Sequence, residues 1–466
     1  MIEIFEYTLQ TIENVLHNTR NFNKTGDVSF ISTSSKEIKP KTLFIPLKGE
    51  RDGHQFIKDA IKNGAIAFLY EKKNPFLSQL TKEELNMGIE VKNTLYSLGQ
   101  LAGFHRSRFL PFVICITGSS GKTTTKDIIG KCVAYLGGEA LVITEKNYNN
   151  EIGLPFTLFK INNKTKVCVL ELGMNHRYEI SRMVRVAIPS TVMITNVGPC
   201  HIENLGSLKE IARAKAEIIE GNKNMEIFIP DDIVYKEIFV EKAKKYGGTL
   251  NHFSLKKSKN LKIISKNQNG FKLNLMGTEI EWNLPVPKIL ENLAGILDLL
   301  EIHNFSRNEI TEGLKFFEAN NKRNVLIDKG IKILDDTYNA NPDSMKSSLD
   351  SLIQVAGLNR TFAVLGDMKE LGTFSKRFHK EIGYYAVKNN INGLISFGED
   401  SYYITNEFRK EGLMFSHFKN EESALNEIIT LLKSWMREGD VVLFKGSRSM
   451  KMERIVEKFL DALGSK

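Results

Sequence analysis

The stretch Ile114-Cys115-Ile116-Thr117-Gly118-Ser119-Ser120-Gly121-Lys122-Thr123-Thr124-Thr125 decides how this chain is read. The apolar, β-branched run from Phe112 to Ile116 has the pattern of a buried strand. A helix is expected to begin near Thr124. Between the two, Gly118 and Gly121 allow a tight turn with its N–H groups pointing inward. The start of the helix brings partial positive charge to the same point. Lys122 adds a point charge, and the Thr123 hydroxyl is of the kind that ligates magnesium. Gly118, Ser119, Ser120, Gly121, Lys122, Thr123 and Thr124 therefore read as a cradle for a triphosphate, with ATP as the expected ligand. The first glycine of the standard G-x-x-x-x-G-K-[ST] string is missing. Ile116 stands in its place and leaves the shorter T-G-x-x-G-K-T.

Downstream, Lys166 to Gly173 and Thr191 to Gly198 have the apolar runs of buried parallel strands. The first ends near Glu171 and the second in the turn Pro199-Cys200-His201. Ligands of open α/β sheets collect at the carboxyl ends of strands. Thr123, Glu171 and His201 can thus converge as magnesium ligands. Each has an ordinary alternative, a strand-end carboxylate in water or a satisfied loop histidine; their coincidence at successive strand ends favours the metal. Leu208 to Glu220 reads as an amphipathic helix. The neighbours of Lys215 on it are Ile211, Ala212, Ile218 and Ile219, with no acid among them. Burial on that apolar face would lower the lysine pKa; the alternative is a side chain that snorkels to water. A further helix begins near Pro287, with Asn292 close to its start, where capping or solvation is the ordinary role.

Strands at Ile331 to Asp335, Thr361 to Leu365, Leu394 to Phe397 and Val441 to Phe444 indicate a second α/β unit. Asn341 suits an N-cap and Pro342 the first helical position, with a helix expected from Asp343 to Ile353. Gly366-Asp367-Met368-Lys369-Glu370-Leu371-Gly372 and Lys445-Gly446-Ser447-Arg448-Ser449 follow strands and suggest a ligand-facing rim. Residues before about 108 read as a small mixed domain. Its polar loop Lys48 to His54 is equally a substrate contact or a solvated turn.

The 466 residues allow roughly three domains of about 150 each. Net charge is +9, without a dense Lys/Arg block or an aromatic-interleaved basic stripe, so no nucleic-acid partner is expected. No apolar run approaches a membrane span, and Met1 to Glu6 lacks a basic leader. Cys115, Cys132, Cys168 and Cys200 are far apart in apolar patterns and read as reduced core thiols, which makes the cytoplasm the expected compartment.

Taken together, the strings Thr117 to Thr124, Asn149-Asn150-Glu151-Ile152-Gly153-Leu154-Pro155, Glu171-Leu172-Gly173-Met174-Asn175-His176, His201, Ala214-Lys215-Ala216-Glu217-Ile218, Tyr338-Asn339-Ala340-Asn341-Pro342-Asp343-Ser344-Met345, Gly366 to Gly372 and Lys445 to Ser449 resemble the Mur ligases of bacterial cell-wall synthesis. The Tyr-Asn-Ala-Asn-Pro and Gly-Asp-Met…Glu-Leu-Gly strings resemble the member that adds D-alanyl-D-alanine. The resemblance implies three domains. These are a small mixed α/β N-terminal domain binding the UDP-linked substrate (1–108), a central P-loop doubly wound α/β ATPase domain (109–318) and a C-terminal Rossmann-like α/β ligase domain (319–466). It implies ATP-dependent amide ligation of D-alanyl-D-alanine to a UDP-N-acetylmuramoyl-tripeptide through an acyl phosphate. It implies two Mg2+ ions, one held by Thr123 and Glu171, the other by His201 and a carbamylated Lys215. Asn292, Arg323 and Asn341 would hold the nucleotide. Asn149, Asn150, Lys445, Ser447 and Arg448 would face the substrates, and Asp367 would join Lys122, Lys215 and His201 at the reacting groups. A monomer is expected. Three places depart from the family pattern: Ser34-Ser35-Lys36 stands for Asp-Ser-Arg, Lys288-Ile289 for His-Asn, and Lys322-Arg323 for Gly-Arg.

Overall fold

The computed structural model describes residues 1–17, 26–315, 317, 323–409 and 412–464. Strands β1 (Ile2–Thr8), β2 (Asp27–Ser32), β3 (Thr42–Phe44), β4 (Ala65–Glu71) and β5 (Gly88–Val91) form the N-terminal sheet in sequential order. Only the β1–β2 pair is antiparallel; the others are parallel. The Lys48 to His54 loop is built into this domain. Asp52 caps a short 3-10 turn, and the buried His54 ring lies between the Asp52 carboxylate (2.6 Å) and the Glu71 backbone N–H (3.2 Å).

The central sheet contains β6 (Phe112–Thr117), β7 (Leu141–Ile143), β8 (Val167–Glu171), β9 (Thr191–Ile194), β10 (Glu226–Pro230) and β11 (Thr249–Phe253). Their spatial order is β11-β10-β9-β6-β8-β7, all parallel. Helices cover both faces, so every residue of β8 and β9 is buried and the strands read as continuous apolar runs without alternation. The order matters for the site. β6, which leads into the glycine turn, lies between β8, which ends at Glu171, and β9, which leads to His201.

Two helices of the central domain have boundaries that differ from expectation. The helix after the glycine turn starts at Lys122, because Gly121 takes the left-handed cap conformation (φ 79°). The Lys215 helix runs Leu208–Ala216 and then tightens into a 3-10 turn, Glu217–Glu220. A three-stranded antiparallel sheet, β12 (Leu261–Asn267), β13 (Gly270–Leu275) and β14 (Thr278–Trp282), was not anticipated. It buries Phe271, Leu273, Leu275, Ile280 and Trp282 against the helix Pro287–Ile302.

The C-terminal sheet has β15 (Val325–Asp328), β16 (Lys332–Asp335), β17 (Thr361–Gly366), β18 (Gly393–Phe397), β19 (Met414–Phe418) and β20 (Val441–Lys445) in the order β15-β16-β20-β17-β18-β19. All neighbours are parallel except β15 with β16. Asn341 caps the helix Pro342–Ala356 in a capping box with Ser344. That helix outlasts the expected end because Val355 and Ala356 continue its buried face. The chain is thus a three-domain α/β protein. The expected boundary at 318 and 319, and Lys322 beside it, lie outside the described residues. Among the described residues no helix is long and apolar enough to cross a membrane. All four cysteines are free and buried.

Candidate active site between the central and C-terminal sheets

The carboxyl ends of the two six-stranded sheets face one cavity of about 370 Å³. Ser119, Ser120, Gly121, Lys122, Thr123 and Thr124 line its central-domain wall. Two glycines are required here. A Cβ on Gly118 would meet the Thr195 hydroxyl at 1.8 Å, and one on Gly121 would meet the Asn292 amide at 2.7 Å in addition to its left-handed φ. Buried Asn292 thereby touches the phosphate loop itself. The loop is held from β9: Ser119 and Ser120 N–H both donate to Asn196 Oδ1 at 3.0 Å, and Thr195 Oγ1 donates to Ser120 O at 2.6 Å. With those two amides engaged, the anion-facing N–H groups are left to the first turn of the helix from Lys122. Lys122 Nζ donates back to Gly118 O at 2.7 Å. Asn196 was not singled out from sequence, although it lies within the expected strand stretch Thr191 to Gly198.

Thr123 Oγ1 donates to Glu171 Oε2 at 2.7 Å, and Asn149 Nδ2 donates to Glu171 Oε1 at 2.8 Å. The carboxylate is buried and these side-chain partners are neutral. Asn150 lines the cavity nearby while its Oδ1 accepts from Gly153 N–H at 2.8 Å, turning the chain into the next helix. His201 also lines the cavity, at φ 54°, with Nδ1 2.5 Å from Glu370 Oε2 of the C-terminal domain. Lys215 is buried and is not part of the lining. Burial, with the nearby Lys122 charge adding to it, lowers its pKa to about 8. Among the described residues no group of three or more His, Cys, Asp or Glu side chains is placed to hold a metal ion.

The opposite wall belongs to the C-terminal domain. Arg323 stacks over the Tyr338 ring at 4.0 Å, and Asn341 Nδ2 donates across the domain boundary to Ser119 O at 3.3 Å. Asp336, which sequence reading passed over, is buried in this wall. It pairs with Lys445 Nζ and accepts from Ser348 Oγ at 2.6 Å; Lys445 also donates to Asn339 O at 2.9 Å. The doublet Asp335-Asp336 was the available signal. Asp335 turns its carboxylate to Thr337.

Asp367, Ser447 and Arg448 do not line the cavity. Asp367 is buried and accepts from Ser401 N–H (2.8 Å), Glu399 N–H (3.2 Å) and Lys369 Nζ (2.8 Å), which ties the end of β17 to the turn after β18. Burial opposes its charge, but Lys369 and Ser401 outweigh it and hold the carboxyl below the usual range. Ser447 Oγ accepts from Lys369 N–H at 2.8 Å, and Arg448 pairs with Glu453 at 2.9 Å on the surface. Both lie just behind the wall, with Ser447 Oγ 3.4 Å from Ala340 O and Arg448 N 3.4 Å from Asn339 Oδ1.

Residues 27–106 match the family profile "Mur ligase family, catalytic domain", residues 116–296 match "Mur ligase middle domain", and residues 322–448 match "Mur ligase, glutamate ligase domain". The UDP-N-acetylmuramoyl-tripeptide–D-alanyl-D-alanine ligase of Bacillus subtilis (strain 168) is 34% identical over 446 residues, covering 93% of each chain. The ligase of the same name from Haemophilus influenzae is 31% identical over 457 residues, covering 94% of each. A crystal structure of MurF ligase from Thermotoga maritima in complex with ADP superposes with a TM-score of 0.79 at 26% identity, covering 93% of this chain and 97% of that one. One of MurF from Acinetobacter baumannii, at 24% identity, shares the fold with a TM-score of 0.86 over 99% of this chain and 100% of that one. Profile matches in all three domains, and a relative aligned over nearly the whole length, establish that this chain belongs to the Mur ligase family.

Proposed function

We propose that the chain is an ATP-dependent ligase that joins D-alanyl-D-alanine to the terminal carboxylate of a UDP-N-acetylmuramoyl-tripeptide. The observation that carries this reading is the single cavity in which a phosphate loop and the buried Thr123–Glu171 pair face the C-terminal wall. The names of the full-length relatives supply the substrates. A carboxylate oxygen of the tripeptide attacks the γ-phosphorus of ATP, ADP departs, and an acyl phosphate forms. The uncharged amine of the dipeptide then attacks the acyl carbon. The amide bond forms, inorganic phosphate leaves, and the amine gives up a proton.

Bringing a carboxylate to a polyanion demands positive charge. Lys122 and the helix N-terminus behind it supply part of that charge. The oxygen donors Thr123 and Glu171 fit a hard cation: the carboxylate is buried and its side-chain partners are neutral, so its charge is not cancelled. His201 would hold a second ion, with Lys215 as its partner. A buried amine with a pKa of about 8 has a neutral fraction able to add carbon dioxide, and the carbamate would be the anionic oxygen ligand that a lysine lacks. Magnesium at these residues would offset the charge that accumulates between carboxylate and phosphates. Asn292, Arg323 and Asn341 hold the nucleotide, and Asn149 and Asn150 serve the acceptor side. Lys445, with Ser447, Arg448 and Asp367 behind it, serves the dipeptide side and the reacting groups. Contact of Asn341 with the phosphate loop supports a closed arrangement that keeps water from the acyl phosphate. The enzyme works as a monomer in the cytoplasm, a compartment suited to its four free thiols.

Mass spectrometry of the product from UDP-linked tripeptide, D-alanyl-D-alanine and ATP tests the reaction. Phosphate release is expected to require both acceptor and dipeptide. Release that ignores the dipeptide, or ligation of glutamate in its place, contradicts the assignment.

A further inference from the structure

The string Gly366 to Gly372 is only partly used by the reading above. Asp367 is satisfied inside its own domain, whereas Glu370 reaches out of it. Glu370 Oε2 lies 2.5 Å from His201 Nδ1, a close contact without the alignment of a hydrogen bond, and that buried nitrogen has no hydrogen-bond partner among the described residues. The backbones are shaped to the same contact. His201 (φ 54°) and Glu370 (φ 62°) are both left-handed, an uncommon conformation for non-glycine residues. Glu203 N–H donates to Glu370 O at 3.2 Å. At Gly372 (φ 50°) an added Cβ would press on Glu203 at 3.1 to 3.4 Å. The segment 370–372 of one domain is thus fitted to the segment 201–203 of the other.

The consequence is chemical. A carboxylate set against Nδ1 orients the ring and leaves Nε2 as the nitrogen that can face a metal. We propose that Glu370 is a positioning residue: from the C-terminal domain it orients the His201 ring, so the metal-binding histidine is completed only when the two domains meet. This rests on the reading of His201 as a magnesium ligand.

The test uses the full chain with a non-hydrolysable ATP analogue and manganese in place of magnesium, with bound Mn2+ read by electron paramagnetic resonance. His201→Ala is expected to lose the weaker manganese site. Glu370→Gln should weaken that site about ten-fold, the low end for loss of a partner that orients a ligand. Glu370→Asp should recover part of the loss, and the His201→Ala, Glu370→Gln double variant should be no worse than His201→Ala alone. If His201→Ala loses the site while Glu370→Gln stays within about two-fold of the parent, or if the two losses add, the positioning role is overturned. If His201→Ala itself changes nothing, the metal reading of His201 has failed first, and the positioning role fails with it.

Discussion

Glu171 and Asp336 are both buried carboxylates, each at the carboxyl end of a strand, facing one cavity from two different sheets. Their partners differ. Asp336 is neutralised by the Lys445 ammonium and accepts a hydroxyl from Ser348. Glu171 has a hydroxyl from Thr123 and an amide from Asn149, neither of which carries charge. A buried pair of opposite charges holds its own wall together. A buried carboxylate with only neutral donors is free to take a cation from outside the chain, which is the role proposed for Glu171. On the proposed reading Asp336 belongs to architecture and Glu171 to chemistry, although both are buried acids at strand ends.

The sharpest way to break this contrast is Asp336→Asn. It strands the Lys445 charge in a dry wall and is expected to destabilise the C-terminal domain by about 3 to 5 kcal/mol. Urea unfolding followed by a probe in that domain measures it; an unchanged midpoint would mean the pair contributes nothing net. Glu171→Gln should do the reverse. Stability should hold, while kcat/KM falls about 10²- to 10³-fold, about 3 to 4 kcal/mol, the scale for losing a group that organises transition-state charge. Lys122→Ala should fall at least as far, and near-parental turnover in either variant would remove the phosphate-site assignment.

Lys215 extends the contrast to a buried cation. With a folded pKa of about 8 against the ordinary 10.5, folding releases a proton between those values. The penalty for burying the charge is therefore complete below about pH 8 and fades as the pH rises toward 10.5. In bicarbonate-free buffer Lys215→Met should be more stable than the parent by up to about 3 kcal/mol at pH 7, with the gain shrinking above pH 8, yet inactive. A gain that grows with pH would reverse the sign of the linkage. The smallest effect is expected at Arg448, which is exposed and paired with Glu453. Arg448→Ala should raise the dipeptide KM by about 1 kcal/mol, several-fold, and leave the ATP KM nearly unchanged. The opposite pattern would move this loop to the nucleotide side.

The phosphate loop was legible because strand, glycine turn and helix start are contiguous, and because Gly118 and Gly121 are there for reasons of backbone space. That Thr123, Glu171 and His201 face one cavity could be suspected from their strand-end positions. The cause is the order β9-β6-β8, which no local pattern encodes. Asp336 was hidden because its meaning depends on Lys445, which sits on the neighbouring strand β20. Asp367 looked like a ligand-facing acid. Close approach of Gly398 lets the turn after β18 fold over its carboxylate, and that closeness is a tertiary fact. The sheet β12 to β14 did carry a local signal, Asn269-Gly270 followed by the alternating Phe271, Leu273 and Leu275, a mark of a hairpin.

The most direct measurement follows one oxygen atom. A tripeptide acceptor labelled with 18O in its terminal carboxylate is incubated with ATP and D-alanyl-D-alanine, and the released phosphate is weighed by mass spectrometry. If the carboxylate attacks the γ-phosphorus in this cavity, each phosphate released carries one 18O from the acceptor, and Glu171→Gln slows the transfer by the same factor of about 10² to 10³ as kcat/KM. Phosphate that is formed in step with ligation but carries no label would show that no acyl phosphate forms.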